Sequence, residues 1–372
     1  MVVKDRLVSR LRSPALFALV FQGIMGLVQV EAFVSLQGEA YLAFSAAYLL
    51  GTVLSLLLVL NFENIILAGR WTTAVRRYFV AVWVVGLAAA LAAVATRAQV
   101  PSFVTFCCFG VCFRMFLAWA NHARPAPPSL IAAGGLVLAA CLFADLAVVM
   151  LVAMLAFPLA AWGAQGPALG ADDGVVSVVR QSLLAFGKYL PHTISGLTIG
   201  YVDRYVALQV VGGVDAETYL RTVQVCSWAA FIAYPLVFHA RSQVLRAGEL
   251  RIGSAARVVG LVAATIGLAL ALIVAVAHGA GRLPVVAPWA IAIVFTAIVC
   301  SQCYQVASSL NFVRERFGAI NRITLASAAA VLVLAFTVVP AWRTAEALAL
   351  VLLSGWLLQF GLTLTQLQRH RR

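Results

Sequence analysis

Charge is the scarcest property of this chain. Asp, Glu, Lys and Arg together make up 10% of its 372 residues, against roughly 25% in soluble domains. A water-soluble fold so poor in charge cannot cover its own surface. With 63% hydrophobic residues, the chain reads as an all-α integral membrane protein. Acids are rarer than bases, 13 against 26. The net charge of +13 is nevertheless no nucleic-acid footprint, because the basic residues are scattered between apolar runs, as membrane topology demands. Histidine occurs five times, and no Gly-rich phosphate loop, HExxH motif or Ser-His-Asp set is legible. Long polar loops are missing as well. That argues against a membrane-embedded sugar polymerase or ligase, which needs an acceptor site outside the bilayer, and for transport over chemistry. Cys107, Cys108, Cys112, Cys141, Cys226, Cys300 and Cys303 all fall in apolar runs. Cys300 and Cys303 have CxxC spacing but no nearby His or second pair, so neither a disulfide nor a metal or other cofactor is expected.

What is abundant is hydrocarbon-length sequence. A bilayer core about 30 Å thick needs about 20 apolar residues at 1.5 Å each. That rule predicts twelve spans, near 14–36, 40–61, 78–96, 102–121, 129–143, 146–163, 186–211, 217–238, 256–278, 285–306, 319–339 and 344–366. The basic N-terminus runs into an apolar stretch too long for a cleaved signal peptide, so it reads as a retained first span. The run Ser129–Gly163 can be one long helix or two short ones. Splitting it near Phe143–Asp145 puts both termini in the cytoplasm. Of the 26 basic residues, 20 then lie on the cytoplasmic side, three outside (Arg97, Arg282, Arg343) and three within spans (Arg114, Arg204, Arg221). Merging the run inverts everything after it and breaks the positive-inside bias.

An internal repeat is also legible. Glu31-Ala-Phe-Val-Ser-Leu-Gln37 followed by Glu39-Ala-Tyr-Leu42 ends the first span. Asp203-Arg-Tyr-Val-Ala-Leu-Gln209 followed by Glu217-Thr-Tyr-Leu220 ends the seventh. The later copy carries a six-residue loop insertion near Val210–Ala216. Because six spans is an even number, a duplicated six-helix unit enters the membrane twice in the same sense and gives two parallel lobes around a central cavity. The expected organisation is a lobe over 1–164, a cytoplasmic linker over 165–185 with a short amphipathic stretch lying along the interface, and a second lobe over 186–372.

Polar residues at bilayer depth are costly and face protein or water. Arg114 is the deepest, and either pairs structurally or lines a cavity for an anionic substrate. In the seventh span Lys188, His192, Ser195 and Asp203 share a face, Pro191 bends the start of the helix, and Gly196 and Gly200 permit close helix approach. Lys188 and His192 either line that cavity or snorkel to the interface. Asp203 and Arg204 form either an interfacial ion pair or part of a gate. Gln22 and Gln29 share a face of the first span, with Glu31 pointing elsewhere. Arg221, Gln224 and Trp228 share a face of the eighth, where Arg221 is only about a turn deep.

The segment Phe186-Gly-Lys-Tyr-Leu-Pro191 through Gly200-Tyr-Val-Asp-Arg-Tyr205 to Glu217-Thr-Tyr-Leu220 resembles the start of the second lobe in Wzx-type polysaccharide or O-antigen flippases. These belong to the multidrug/oligosaccharidyl-lipid/polysaccharide exporter superfamily. The resemblance implies translocation of an undecaprenyl-diphosphate-linked oligosaccharide across the bacterial inner membrane, alongside membrane lipids, polysaccharide polymerase and chain-length proteins as partners. It implies Arg114, Lys188 and Arg221 on the diphosphate, since Arg donors bind phosphate oxygens in a fork. Gln22, Gln29, His192, Ser195 and Gln224 would meet sugar hydroxyls. Glu31, Asp203, Arg204, Tyr219, Pro191, Gly196 and Gly200 would serve gating or ion coupling. A multidrug-type, cation-coupled exporter is the nearest alternative, but should carry acids rather than Arg114 deep in the membrane.

Overall fold

The computed structural model describes Phe17, Val20, Phe21, Gly23, Ile24, Gly26, 36–59, Phe62, Ile66, 71–120, 122–124, 126–166, 175–247, 252–279, 288–313 and 317–369. Among the described residues the fold is all-helical. The only strand-like pairing among them is an isolated bridge between Arg124 and Gln165. The helices are α1 (Gly38–Leu58), α2 (Thr73–Thr96), α3 (Gln99–Ala120), α4 (Pro127–Phe143), α5 (Leu146–Ala161), α6 (Val175–Val206), α7 (Gly213–Ala247), α8 (Ile252–Gly279), α9 (Pro288–Val313), α10 (Phe317–Trp342) and α11 (Ala345–Arg369). Six of them (α1, α2, α3, α9, α10 and α11) are long and apolar enough to cross a membrane. The chain is a membrane protein. Phe17 to Gly26, within the predicted first span, includes helical residues, but most of that span lies outside the described set.

Local chemistry sets the helix ends. Thr72 caps α2 by accepting from the Val75 amide, and Arg97 closes it in the left-handed region at φ 55°. Pro127 and Pro128 open α4, where a missing amide hydrogen costs nothing. The long apolar run after Ser129 breaks at Ala144. Asp145 then caps α5 by accepting from Val148 N at 3.1 Å, so an acid and two extended residues end one helix and begin the next.

Two departures from the sequence reading stand out. The amphipathic stretch before the seventh span does not lie separately along an interface: it is continuous with that span in the 32-residue α6. No six-residue loop follows α6 either. The helix widens into a π turn over Ala207–Val211, closed by Gly212 N donating to the Ala207 carbonyl at 2.9 Å. Gly212 and Gly213, at φ 64° and 58°, then reverse the chain directly into α7. The residues of the expected loop lie in the π turn, the glycine pair and the first turn of α7, and positive φ at both glycines is a conformation that only glycine adopts cheaply.

The chain divides into two compact units, Met1–Gly187 and Lys188–Arg372, the boundary falling within α6. In the first unit α3 packs on α1 and α2, and α5 packs on α4, α2 and α3. In lipid no hydrophobic force draws helices together, so close packing must. On α1, Gly51 lies against Phe106 of α3, and Ser55 lies against Gly110 of α3. On α1 the two small residues sit four apart on the contacting face, and Gly110 supplies a third on α3. The interior of this unit is apolar and aromatic, with Phe17, Phe21, Phe62, Phe106, Phe109, Phe116, Trp119 and Phe157 buried together. In the second unit α9 packs on α7, α8 and α11, α7 packs on α8, and α10 packs on α11.

Candidate functional site

Polar side chains accumulate inside the second unit. Within α6, Pro191 leaves its helix position to be bridged locally, and the Ser195 hydroxyl donates to the Pro191 carbonyl at 2.7 Å. One position beyond Pro191, His192 Nδ1 lies 3.1 Å from Thr324 Oγ1 on α10. The Thr324 hydroxyl hydrogen is already given to the Ile320 carbonyl at 2.7 Å. Thr324 therefore accepts from His192, and the hydrogen sits on Nδ1. The imidazole approaches Tyr304 of α9, ring centres 6.4 Å apart, and Tyr304 approaches Trp356 of α11 at 6.1 Å. Gln359, one turn beyond Trp356 on α11, is fully buried.

This cluster has unmet hydrogen-bonding capacity. Among the described residues the Tyr304 hydroxyl, both amide atoms of Gln359 and Gln302 Oε1 are buried and make no hydrogen bond of good geometry, although the Thr324, Gln359 and Ser308 side chains lie beside the Tyr304 hydroxyl. Each such group costs about 1–3 kcal/mol if it stays dry. Such groups on α9 and α11, with His192 of α6 and Thr324 of α10 beside Tyr304, make an interior suited to water or to the hydroxyls of a neutral polar ligand.

A second polar centre sits where α6 meets α7. Asp203 is wholly buried. Tyr219 of α7, also wholly buried, donates its hydroxyl hydrogen to Asp203 Oδ2. Asp203 Oδ1 has no hydrogen-bond partner. The neighbouring Arg204 guanidinium lies over the Tyr201 ring, 4.8 Å from its centre, a cation–π arrangement. Two residues after Tyr219 on α7, Arg221 pairs with Glu217: Nη2 and Nε reach the same carboxylate oxygen at 2.7 and 2.9 Å.

The sequence-derived residues thus separate into groups. Asp203 and Tyr219 meet, and His192 joins Thr324. The stripe on α6 turns into its own unit: Ser195 is buried and Ile199 reaches Gly355 of α11. Arg221, which the resemblance puts on the diphosphate, is buried and its charge is matched by Glu217 one helical turn away. Gly196 and Gly200 are a correction to the expected close helix approach. A Cβ at Gly196 would meet no heavy atom within 4 Å, and at Gly200 only the Trp356 ring at 3.7 Å, so neither glycine is there for close approach. Arg114 is half-buried on α3 between buried Cys112 and Met115, and Gln224 is half-buried on α7. Gln22, Gln29, Glu31 and the Lys188 side chain lie outside the described set.

Tyr304, Thr324, Gln302 and Gln359 were not among the residues the sequence singled out. A signal existed. Gln359, Thr363 and Gln366 recur at helical spacing on one face of an apolar span, the inverse of a lipid-facing stripe. Compared with known family models, with curated proteins and with solved structures, the chain matches none.

Proposed function

We propose that the chain is a twelve-span transporter of two parallel six-helix lobes that flips an undecaprenyl-diphosphate-linked oligosaccharide across the bacterial inner membrane, with both termini cytoplasmic. The duplication is supported by packing. Numbered by predicted span, the second pairs with the fourth, the third with the fourth, the fourth with the sixth and the fifth with the sixth in the first unit. Four pairings recur six spans later (α7 with α9, α8 with α9, α9 with α11, α10 with α11), whereas among the described residues the α2–α5 packing of the first unit and the α7–α8 packing of the second have no counterpart. A diphosphate and its sugars lose their water partners in hydrocarbon, and alternating access between two lobes replaces those partners during transit.

The observation that carries the reading is Arg114. It is a half-buried guanidinium on a helix otherwise apolar from Val100 to Ala120, and a cation at this depth is affordable only against protein or water. In this reading Arg114 and Lys188 meet the diphosphate, as the resemblance implies for them, and Arg221 lies paired with Glu217. The neutral amide, hydroxyl and aromatic groups around Tyr304 and Gln359 suit sugar chemistry better than cationic drugs. Replacing Arg114 with Ala is expected to abolish glycan export at unchanged protein level, with unflipped lipid-linked sugar accumulating, and Arg114→Lys to restore export in part. Normal export by the alanine variant would remove Arg114 from the mechanism.

A second reading is a cation-coupled multidrug-type exporter, in which the buried carboxylate of Asp203 would carry the coupling ion. Efflux of cationic dyes by vesicles holding the protein, with no effect of deletion on lipid-linked sugars, would select it.

A further inference from the structure

At the start of α2 a groove of about 440 Å³ is lined by Thr73, Arg76, Arg77, Val80 and Ala81. These positions recur at helical spacing on one face of α2, so among the described residues the groove is shallow and open, with Arg76 and Arg77 one turn before Val80 and Ala81. α2 has 24 residues, about 36 Å of helix, against about 30 Å of hydrocarbon. The 19 residues from Tyr78 to Thr96 span about 28 Å and fill the core, which sets Arg76 and Arg77 at headgroup level. Both arginines are exposed, and the first turn of α2 contains no acid. The ion pairs among the described residues, Arg97–Asp145 and Arg221–Glu217, involve neither of them.

The position is also rigid. The Tyr78 hydroxyl donates to the Leu58 carbonyl at the end of α1 at 2.6 Å, and the Phe62 ring packs on Tyr78 with centres 4.8 Å apart. Two guanidiniums on a fixed turn at the bilayer surface, with Val80 45% exposed beneath them, complement one kind of molecule. It carries an anionic phosphodiester at headgroup depth and an acyl chain directly below.

We propose that this groove is a docking site for an anionic phospholipid, with Arg76 and Arg77 on its phosphate and Val80 and Ala81 against its first acyl methylenes. The site is independent of whatever the chain transports.

Native mass spectrometry of the full-length protein, released from micelles holding equal amounts of phosphatidylglycerol and phosphatidylcholine with matched acyl chains, tests it. The wild type is expected to retain phosphatidylglycerol about fivefold or more over phosphatidylcholine, the scale of one or two arginines at a membrane surface. Arg76→Gln with Arg77→Gln is expected to bring the ratio close to one. The Arg76→Lys and Arg77→Lys pair, which keeps charge without the fork, should retain part of the preference and so separates loss of binding from loss of fold. Arg343→Gln, an exposed arginine ending α10, should leave the preference intact. Equal retention of both lipids by the wild type, or an unchanged preference in the glutamine pair, overturns the proposal. So does displacement of phosphatidylglycerol by an equimolar polyprenyl diphosphate at these two arginines, which would reassign the groove to transport.

Discussion

The Tyr219 hydroxyl donates to Asp203 across the turn that joins α6 to α7, and both side chains are sealed from solvent. The bond ties the two helices together on either side of a π turn and a glycine pair. Tyr219→Phe removes the donor and leaves a buried carboxylate with no side-chain partner from α7, at a cost of about 1–3 kcal/mol. Asp203→Asn keeps the volume and removes the charge. Thermal unfolding in detergent should show each single variant destabilised, and the double variant less so than the sum, with a coupling of about 1 kcal/mol or more. Additive losses would mean that the two groups do not act as a pair.

Gln359 makes the opposite prediction about stability. Its amide is buried and, among the described residues, neither polar atom makes a hydrogen bond of good geometry, even with the Tyr304 hydroxyl beside it, so Gln359→Leu, of similar volume, removes a poorly met hydrogen-bonding demand. The variant is expected to be as stable as the wild type or more so, by up to about 1 kcal/mol, while transport falls. This is the usual mark of a polar group kept for function. A less stable variant with full transport would make Gln359 a structural residue hydrated from within.

How far the sequence reaches is visible at particular residues. The membrane character and helix order followed from apolar run length, because a bilayer imposes one period and one minimum length. The break at Ala144–Asp145 was legible as well, since an acid in an apolar run marks a cap as readily as a buried charge. The π turn at Ala207–Val211 was not: it depends on an i to i−5 bond whose energetic difference from a loop has no residue signature beyond the following Gly212-Gly213. The α6 stripe follows from helical spacing, but a stripe does not name its neighbour. His192 found Thr324 and Tyr304, more than a hundred residues away. The partner of Arg221 lay within reach of simple helical spacing, since Glu217 precedes it by four.

That ion pair and the one at Arg97 allow a direct comparison. Arg221 is 3% exposed and Glu217 20%, whereas Arg97 and Asp145 are 82% and 55% exposed at 3.7 Å. Truncating one partner of a buried pair strands the other charge and costs about 3–5 kcal/mol. An exposed pair contributes about 0–1 kcal/mol and is screened by salt. Glu217→Ala should therefore lower the unfolding temperature strongly and alike at low and high salt. Arg97→Ala should change it little, and less still in high salt.

Two glycines in the second unit should respond in opposite directions to the same added methyl. At Gly355 a Cβ would stand 2.5 Å from Val331 Cγ2 and 3.0 Å from Ile199 Cγ2, so Gly355→Ala must push α10 or α6 away from α11 or force their side chains off rotamer. That costs about 1–3 kcal/mol. At Gly196 the same atom meets nothing within 4 Å. Gly196→Ala adds helix propensity without a clash and should stabilise by about 0.5–1 kcal/mol. The functional consequence separates packing from motion. If α6 bends at Gly196 during transport, the alanine variant is more stable but slower. If it transports at the wild-type rate, the helix moves as a rigid body and Gly196 leaves the gating set.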